Sequence, residues 1–216
     1  MNRMMQSKTA RVMTMAVALV ALSTAAHAQT TGFVLGVHSI GAQGVTITGE
    51  DIDGPAFKTK PGGGAGVMVG YGFSRLFTAF VSADLAKQES NAAAYGGSFG
   101  LAHLEIGARA NLPLGGGSTV PYVTASYGAR SMAARVTDFE NNNEQYDWMI
   151  NGGMIGLGGG IERFITPKLA LDAAVDVGIG RFNHYDIDGD SGKLDVNGNT
   201  TMRLRLGMTW HPSGHR

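Results

Sequence analysis

The stretch TTMRLRLGMTW, residues 200–210, decides the fold. Read with a period of two, it puts Met202, Leu204, Leu206, Met208 and Trp210 on one side and Arg203, Arg205, Gly207 and Thr209 on the other. Successive side chains of an extended chain point to opposite faces, so the alternation predicts a strand. One face is continuously apolar and the other carries two arginines. A sheet that turns its oily face outward and its charges inward is inverted relative to a soluble barrel, and the inversion is stable only where the solvent is lipid.

Seven further segments repeat the pattern, at 32–40, 64–73, 77–85, 102–111, 122–130, 154–162 and 169–179. In 102–111, Ala102, Leu104, Ile106, Ala108 and Ala110 oppose His103, Glu105, Gly107, Arg109 and Asn111. Across the eight segments one parity collects Asp84, Glu105, Arg109, Arg130, Glu162, Asp172, Asp176, Arg203 and Arg205. The complementary parity is apolar or small, with Arg163 and Arg181 confined to strand ends. A cationic side chain facing lipid at mid-membrane costs about 2–4 kcal/mol, so a clean outer face is what a marginal fold requires.

The N-terminus is consistent with export. Arg3, Lys8 and Arg11 precede an apolar run from Val12 to Ala21, and small residues lead to Ala26-His27-Ala28 before Gln29. A basic head, a short apolar centre and an A-x-A exit describe a cleavable signal peptide over 1–28, cut between Ala28 and Gln29. The centre falls short of the ~20 residues that a spanning helix needs. Removing three bases from a chain with 17 basic and 17 acidic residues leaves a mature net charge of −3, without the basic surface that a nucleic-acid binder carries. There is no cysteine, which excludes disulfides, thiolate metal sites and cysteine nucleophiles.

Beyond the leader no run of 18 apolar residues occurs, so a membrane-spanning fold must be a closed β-barrel. The connections read as alternately short (73–76, 113–118, 166–168) and long (41–60, 87–97, 132–148, 182–199). That order fits an eight-stranded antiparallel up-and-down transmembrane barrel over 29–212, with a short tail at 213–216 and both termini in the periplasm. Twelve of the 17 acids fall in the four long segments, and the other five are on the inner parity. Phe33, Tyr71, Phe73, Phe77 and Trp210 gather on the outer parity at the short-turn side, as an interfacial aromatic girdle does.

Several residue groups invite a chemical reading. The interior of an eight-stranded barrel is just wide enough for side chains, so the five inward acids and four inward arginines are expected to form a hydrogen-bonded ion network. Gly96-Gly97-Ser98-Phe99-Gly100 spells G-x-S-x-G, but it precedes a strand instead of joining a strand to a helix, as a nucleophile elbow must. His103 and Glu105 share an inner face with no serine clearly beside them. Asp186, Asp188, Asp190 and Asp195 are spaced like calcium-loop ligands, yet Ser191 and Asn197 stand where an EF-hand needs Gly and Glu. They are weak divalent-ion candidates. The clusters GGGAGVMVG and GGMIGLGGG lack the helix and the G-K-[ST] of a nucleotide cradle, and no cofactor is expected.

With these patterns in place, the chain resembles the small outer-membrane β-barrel family typified by the membrane domain of OmpA and by OmpX. Its last strand is similar to the signal read by the barrel-assembly machinery, a polar residue, a glycine two later and an aromatic three after that, matched by Arg205, Gly207 and Trp210. The family usually ends on a further aromatic; here His211-Pro212-Ser213-Gly214-His215-Arg216 follows. The resemblance implies the outer membrane of a Gram-negative bacterium, contact with membrane lipid and lipopolysaccharide, and a non-enzymatic structural or surface-interaction role carried by acidic external loops that meet other cells or host molecules. A narrow channel for ions or small solutes and a barrel enzyme that modifies lipid A are the alternatives.

Overall fold

The computed structural model describes residues 30–47, 57–58, 60–89, 98–112, 118–138 and 144–212. The expected signal peptide, its Ala28–Gln29 junction and the 213–216 tail lie outside them. Eight strands carry the fold: β1 (Gly32–Ile47), β2 (Gly62–Gly72), β3 (Phe77–Glu89), β4 (Ser98–Asn111), β5 (Thr119–Asp138), β6 (Glu144–Phe164), β7 (Leu169–Ile187) and β8 (Asp190–Trp210). Each pairs antiparallel with its successor, and β8 returns to β1 from Leu35↔Trp210 to Ile47↔Asn199. The sheet therefore closes on itself. Phe57–Lys58 adds a two-residue ladder against Thr46 and Ile47 at the far end of β1.

Closure is what the sequence pattern demands, because an unpaired edge in lipid would leave backbone donors and acceptors without partners. The outer face is a band of exposed apolar side chains, among them Leu206 at 64% and Ile106 at 63% exposure. At the end where β2 turns into β3, Phe33 stacks edge-on against Tyr71 (5.3 Å between centroids), and Tyr71 against Phe73 (5.1 Å). Short connections at that end are held by side-chain caps. Ser74 Oγ accepts from the Leu76 and Phe77 amides, and Thr166 Oγ1 accepts from those of Lys168 and Leu169.

At the opposite end the structure corrects the loop boundaries. Of the segment read as a long loop at 132–148, residues 132–138 belong to β5 and 144–148 to β6. The segment 182–199 is almost wholly ladder, with β7 and β8 joined by a two-residue turn at Asp188-Gly189. Likewise β1 continues to Ile47, β3 to Glu89, and β4 begins at Ser98. The reason is physical. Beyond the hydrocarbon a strand gains nothing from an apolar outer face, so its alternation fades while its hydrogen bonds continue. Asp188 (φ 50°) and Gly189 (φ 87°) take the left-handed conformations of a tight hairpin turn, which Asp-Gly favours. Asp186 Oδ1 accepts the Gly189 amide at 3.1 Å, and Asp188 Oδ1 accepts that of Asp147 at 2.9 Å.

The interior is layered. Val34, Met68 and Phe80 form one apolar cluster, and Val120, Phe164 and Ala170 another at the short-turn end. A larger one crosses the loop end: Val45, Phe99, Leu101, Met132, Ile150 and Phe182, with Trp148 packed against it. Charge lies between them.

Candidate functional site

The nine charged residues of the inner parity belong to six different strands, β3 to β8, and the lumen brings them together. Arg203 on β8 is 1% exposed and bridges two carboxylates, donating to Asp84 Oδ2 at 2.6 Å and pairing with Glu105 Oε1 at 2.5 Å. The second oxygen of Asp84 bonds His38 Nε2 at 2.8 Å, and that of Glu105 accepts Ser126 Oγ at 2.8 Å. Gly66, beside Asp84 in the ladder, makes room for this arrangement, since a Cβ there would collide with both Asp84 Oδ1 and His38 Nε2. Arg205 clasps Asp176 through two parallel bonds of 2.6 and 3.0 Å. Bidentate pairing fixes geometry as well as charge.

A second group lies toward the short-turn end. Arg109 Nη1 donates to Glu162 Oε1 at 2.7 Å, and its guanidinium stacks 3.9 Å from the centroid of the Tyr122 ring. Glu162 Oε1 also accepts Thr209 Oγ1 at 2.9 Å, with His211 Nε2 at 3.8 Å. Tyr122 Oη donates to Asp172 Oδ2 at 2.7 Å. Each of the five acids thus has a partner. Breaking a buried pair strands the remaining charge, which is where such networks become costly.

Arg130 is different. It is 1% exposed, and among the described residues none of its three side-chain nitrogens has a hydrogen-bond partner; its guanidinium lies over the Phe182 ring, 5.1 Å from Cζ to the centroid. The amide atoms of Gln88 and Asn199, both buried, are likewise without partners among the described residues. The five carboxylates are engaged by other partners, so Arg130 is left with neither an acceptor nor a direct ion pair among the described residues.

The fold also places the other candidates. A serine does stand beside Glu105: Ser126, from the neighbouring β5, donates to its carboxylate, but that carboxylate is 4% exposed, enclosed in the lumen and held by Arg203. Ser98 begins β4, while Gly96 and Gly97 lie outside the described residues. Asp186 caps the β7–β8 turn, Asp188 accepts the Asp147 amide of β6, Asp190 pairs with Ile187, and the Asp195 side chain lies outside the description. Of the strand-end signal, Arg205 points inward to Asp176, Gly207 faces His38 across the closing ladder, and Trp210 points outward, 48% exposed. The sequence reading missed His38, Tyr122, Ser126 and Thr209 as network members, although all four share the inner parity with the charges.

The geometry so described, a closed eight-stranded sheet with an apolar belt and a charged interior, is matched by sequence comparison. A profile of the outer membrane protein beta-barrel domain matches residues 14–207. The chain belongs to that family. Family membership implies the Gram-negative outer membrane and spanning by β-strands. Among solved structures the barrel is similar to Neisserial surface protein A (NspA), at 14% identity and TM-score 0.54, over 83% of this chain and 97% of that one. It is also similar to OprG from Pseudomonas aeruginosa, at 11% identity and TM-score 0.53, over 87% and 100%. Ail, the attachment invasion locus protein of Yersinia pestis, aligns at 11% identity and TM-score 0.52, over 84% and 99%. At such identities the likeness is one of fold. No curated protein sequence matches the chain.

Proposed function

We propose that this outer-membrane barrel is a non-conducting envelope protein whose interior is a structural keel and whose work is done at its loop-end surface, turned to the outside of the cell. The observation that carries the reading is the filled lumen. Ion pairs span it from strand to strand, and the cluster of Val45, Phe99, Leu101, Met132, Ile150 and Phe182 lies across its loop-side mouth. A conducting pore needs a continuous wetted path, and an apolar constriction opposes one. The four long strands β5–β8, of 19 to 21 residues, exceed the ~9–11 that cross a bilayer, so they raise a polar sheet above the membrane.

Two measurements test this. Purified, folded protein in planar bilayers is expected to give no steady single-channel current, and a reproducible open level would refute the keel. Orientation follows from cysteine labelling, which is clean because the chain has no cysteine. On intact cells a membrane-impermeant maleimide is expected to label Ser191→Cys and to leave Lys168→Cys untouched; the converse pattern would invert the barrel.

A further inference from the structure

On the lipid-facing side of β2–β6, a depression of about 560 Å³ shares lining residues with two others of about 570 and 490 Å³, so that the three form one groove. Its floor is made by small outward residues, Ala83, Ala102, Ala129 and Gly153, and Leu85 and Leu104 rise beside it. The Tyr127 hydroxyl lies 3.8 Å from where a Cβ on Gly153 would stand, so the ring runs alongside the floor toward the loop end. There the outer parity changes character. Ser131 and Asn151 face each other across the β5–β6 ladder and line the groove, with Asn183 close by. Arg181, exposed on the same face, is the ladder partner of Gly153 from β7.

This combination is specific. An apolar trough takes an acyl chain, and hydroxyl and amide groups at its upper end require hydrogen-bonding partners that hydrocarbon does not supply. The loop side of the barrel is acidic, so a cation placed beside the groove's polar end, at the margin of the apolar belt, complements an anionic headgroup rather than the protein's own surroundings. We propose that the groove is a binding site for one phosphorylated membrane lipid, its phosphate on Arg181, its headgroup oxygens on Ser131 and Asn151, and one tail laid over Gly153, Ala129 and Ala102 toward Ala83. The inference depends on family membership and on neither the closed lumen nor the orientation of the barrel.

The test is native mass spectrometry of the full-length folded barrel released from detergent micelles, with diphosphoryl lipid A as probe, its dephosphorylated form as control and inorganic phosphate as competitor. Wild-type protein is expected to retain one lipid, with at least tenfold preference for the phosphorylated form. Arg181→Gln removes the cation, and Gly153→Phe fills the trough at a position with space for a side chain. Both are expected to weaken retention at least tenfold while keeping the heat-dependent gel mobility of a folded barrel. Equal retention of the two lipids, undiminished binding in either folded variant, or displacement by phosphate as effective as by lipid would overturn the site.

Discussion

Arg203 and Arg130 are the same residue type, equally buried, and the lumen treats them in opposite ways. Arg203 neutralises Asp84 and Glu105 together, so its removal leaves two carboxylates enclosed with one fewer counter-charge. Arg130 bonds nothing among the described residues and contributes chiefly its contact with Phe182. Removing one partner of a buried pair typically costs about 3–5 kcal/mol, whereas replacing a poorly compensated buried charge by an apolar side chain of similar volume is neutral or stabilising. Arg203→Met is therefore expected to lose about that much stability, and Arg130→Met less than about 1 kcal/mol. Urea unfolding of the protein refolded into phosphatidylcholine vesicles measures both. Equal losses, or a larger one for Arg130→Met, would show that the lumen does not distinguish paired from unpaired charge.

At the level of the strand, depth decides what a side chain costs. Leu206 and Thr200 share the outer parity of β8, but Leu206 lies within the apolar band, 64% exposed, and Thr200 marks its loop-side limit. Leu206→Arg is expected to destabilise by about 2–4 kcal/mol and Thr200→Arg by about 0–1 kcal/mol, the usual dependence on distance from the midplane. Measured by the same unfolding assay, equal costs would mean that the band has been set at the wrong depth. The same depth rule explains what the sequence disclosed. Where lipid bathes the strand, alternation is enforced, and the parity of Arg203, Arg205, Asp176 and Glu105 is legible directly. Above the lipid that selection ends, so 182–187 and 190–199 read as loop although they are ladder. The Asp188-Gly189 turn signal was present but obscured by the surrounding polarity. Pairings within the lumen were not legible, because Arg203 meets Asp84 across 119 residues through the stagger of the closed sheet. Nothing in either segment alone encodes that stagger.

The whole molecule divides into a membrane section that must be complete and an extension that need not be. Within lipid an unpaired backbone group costs several kcal/mol, whereas in water each ladder bond contributes only about 0.5–1.5 kcal/mol net. Closure uses β8 from Asn199 to Trp210 against β1, and the apolar layer at the loop mouth needs Phe182, which pairs with Val196. The hairpin tip beyond Phe182 and Val196 takes no part in closure, and of its residues only Tyr185 packs against the rim of the apolar layer. Deleting residues 184–194 together with Asp195→Gly leaves Phe182 and Val196 flanking an Asn-Gly turn, a sequence suited to a two-residue hairpin. The trimmed chain is expected to refold into detergent or vesicles with its heat-dependent gel mobility intact, and to lose less stability than Arg203→Met. It also removes the Asp186–Gly189 turn that braces the β5–β6 hairpin through Asp147, so proteolysis near Asp147 should accelerate while the barrel stays closed. If the trimmed chain fails to fold, the extension is part of the closing unit, and the division between a self-sufficient membrane barrel and a surface sheet built upon it is wrong.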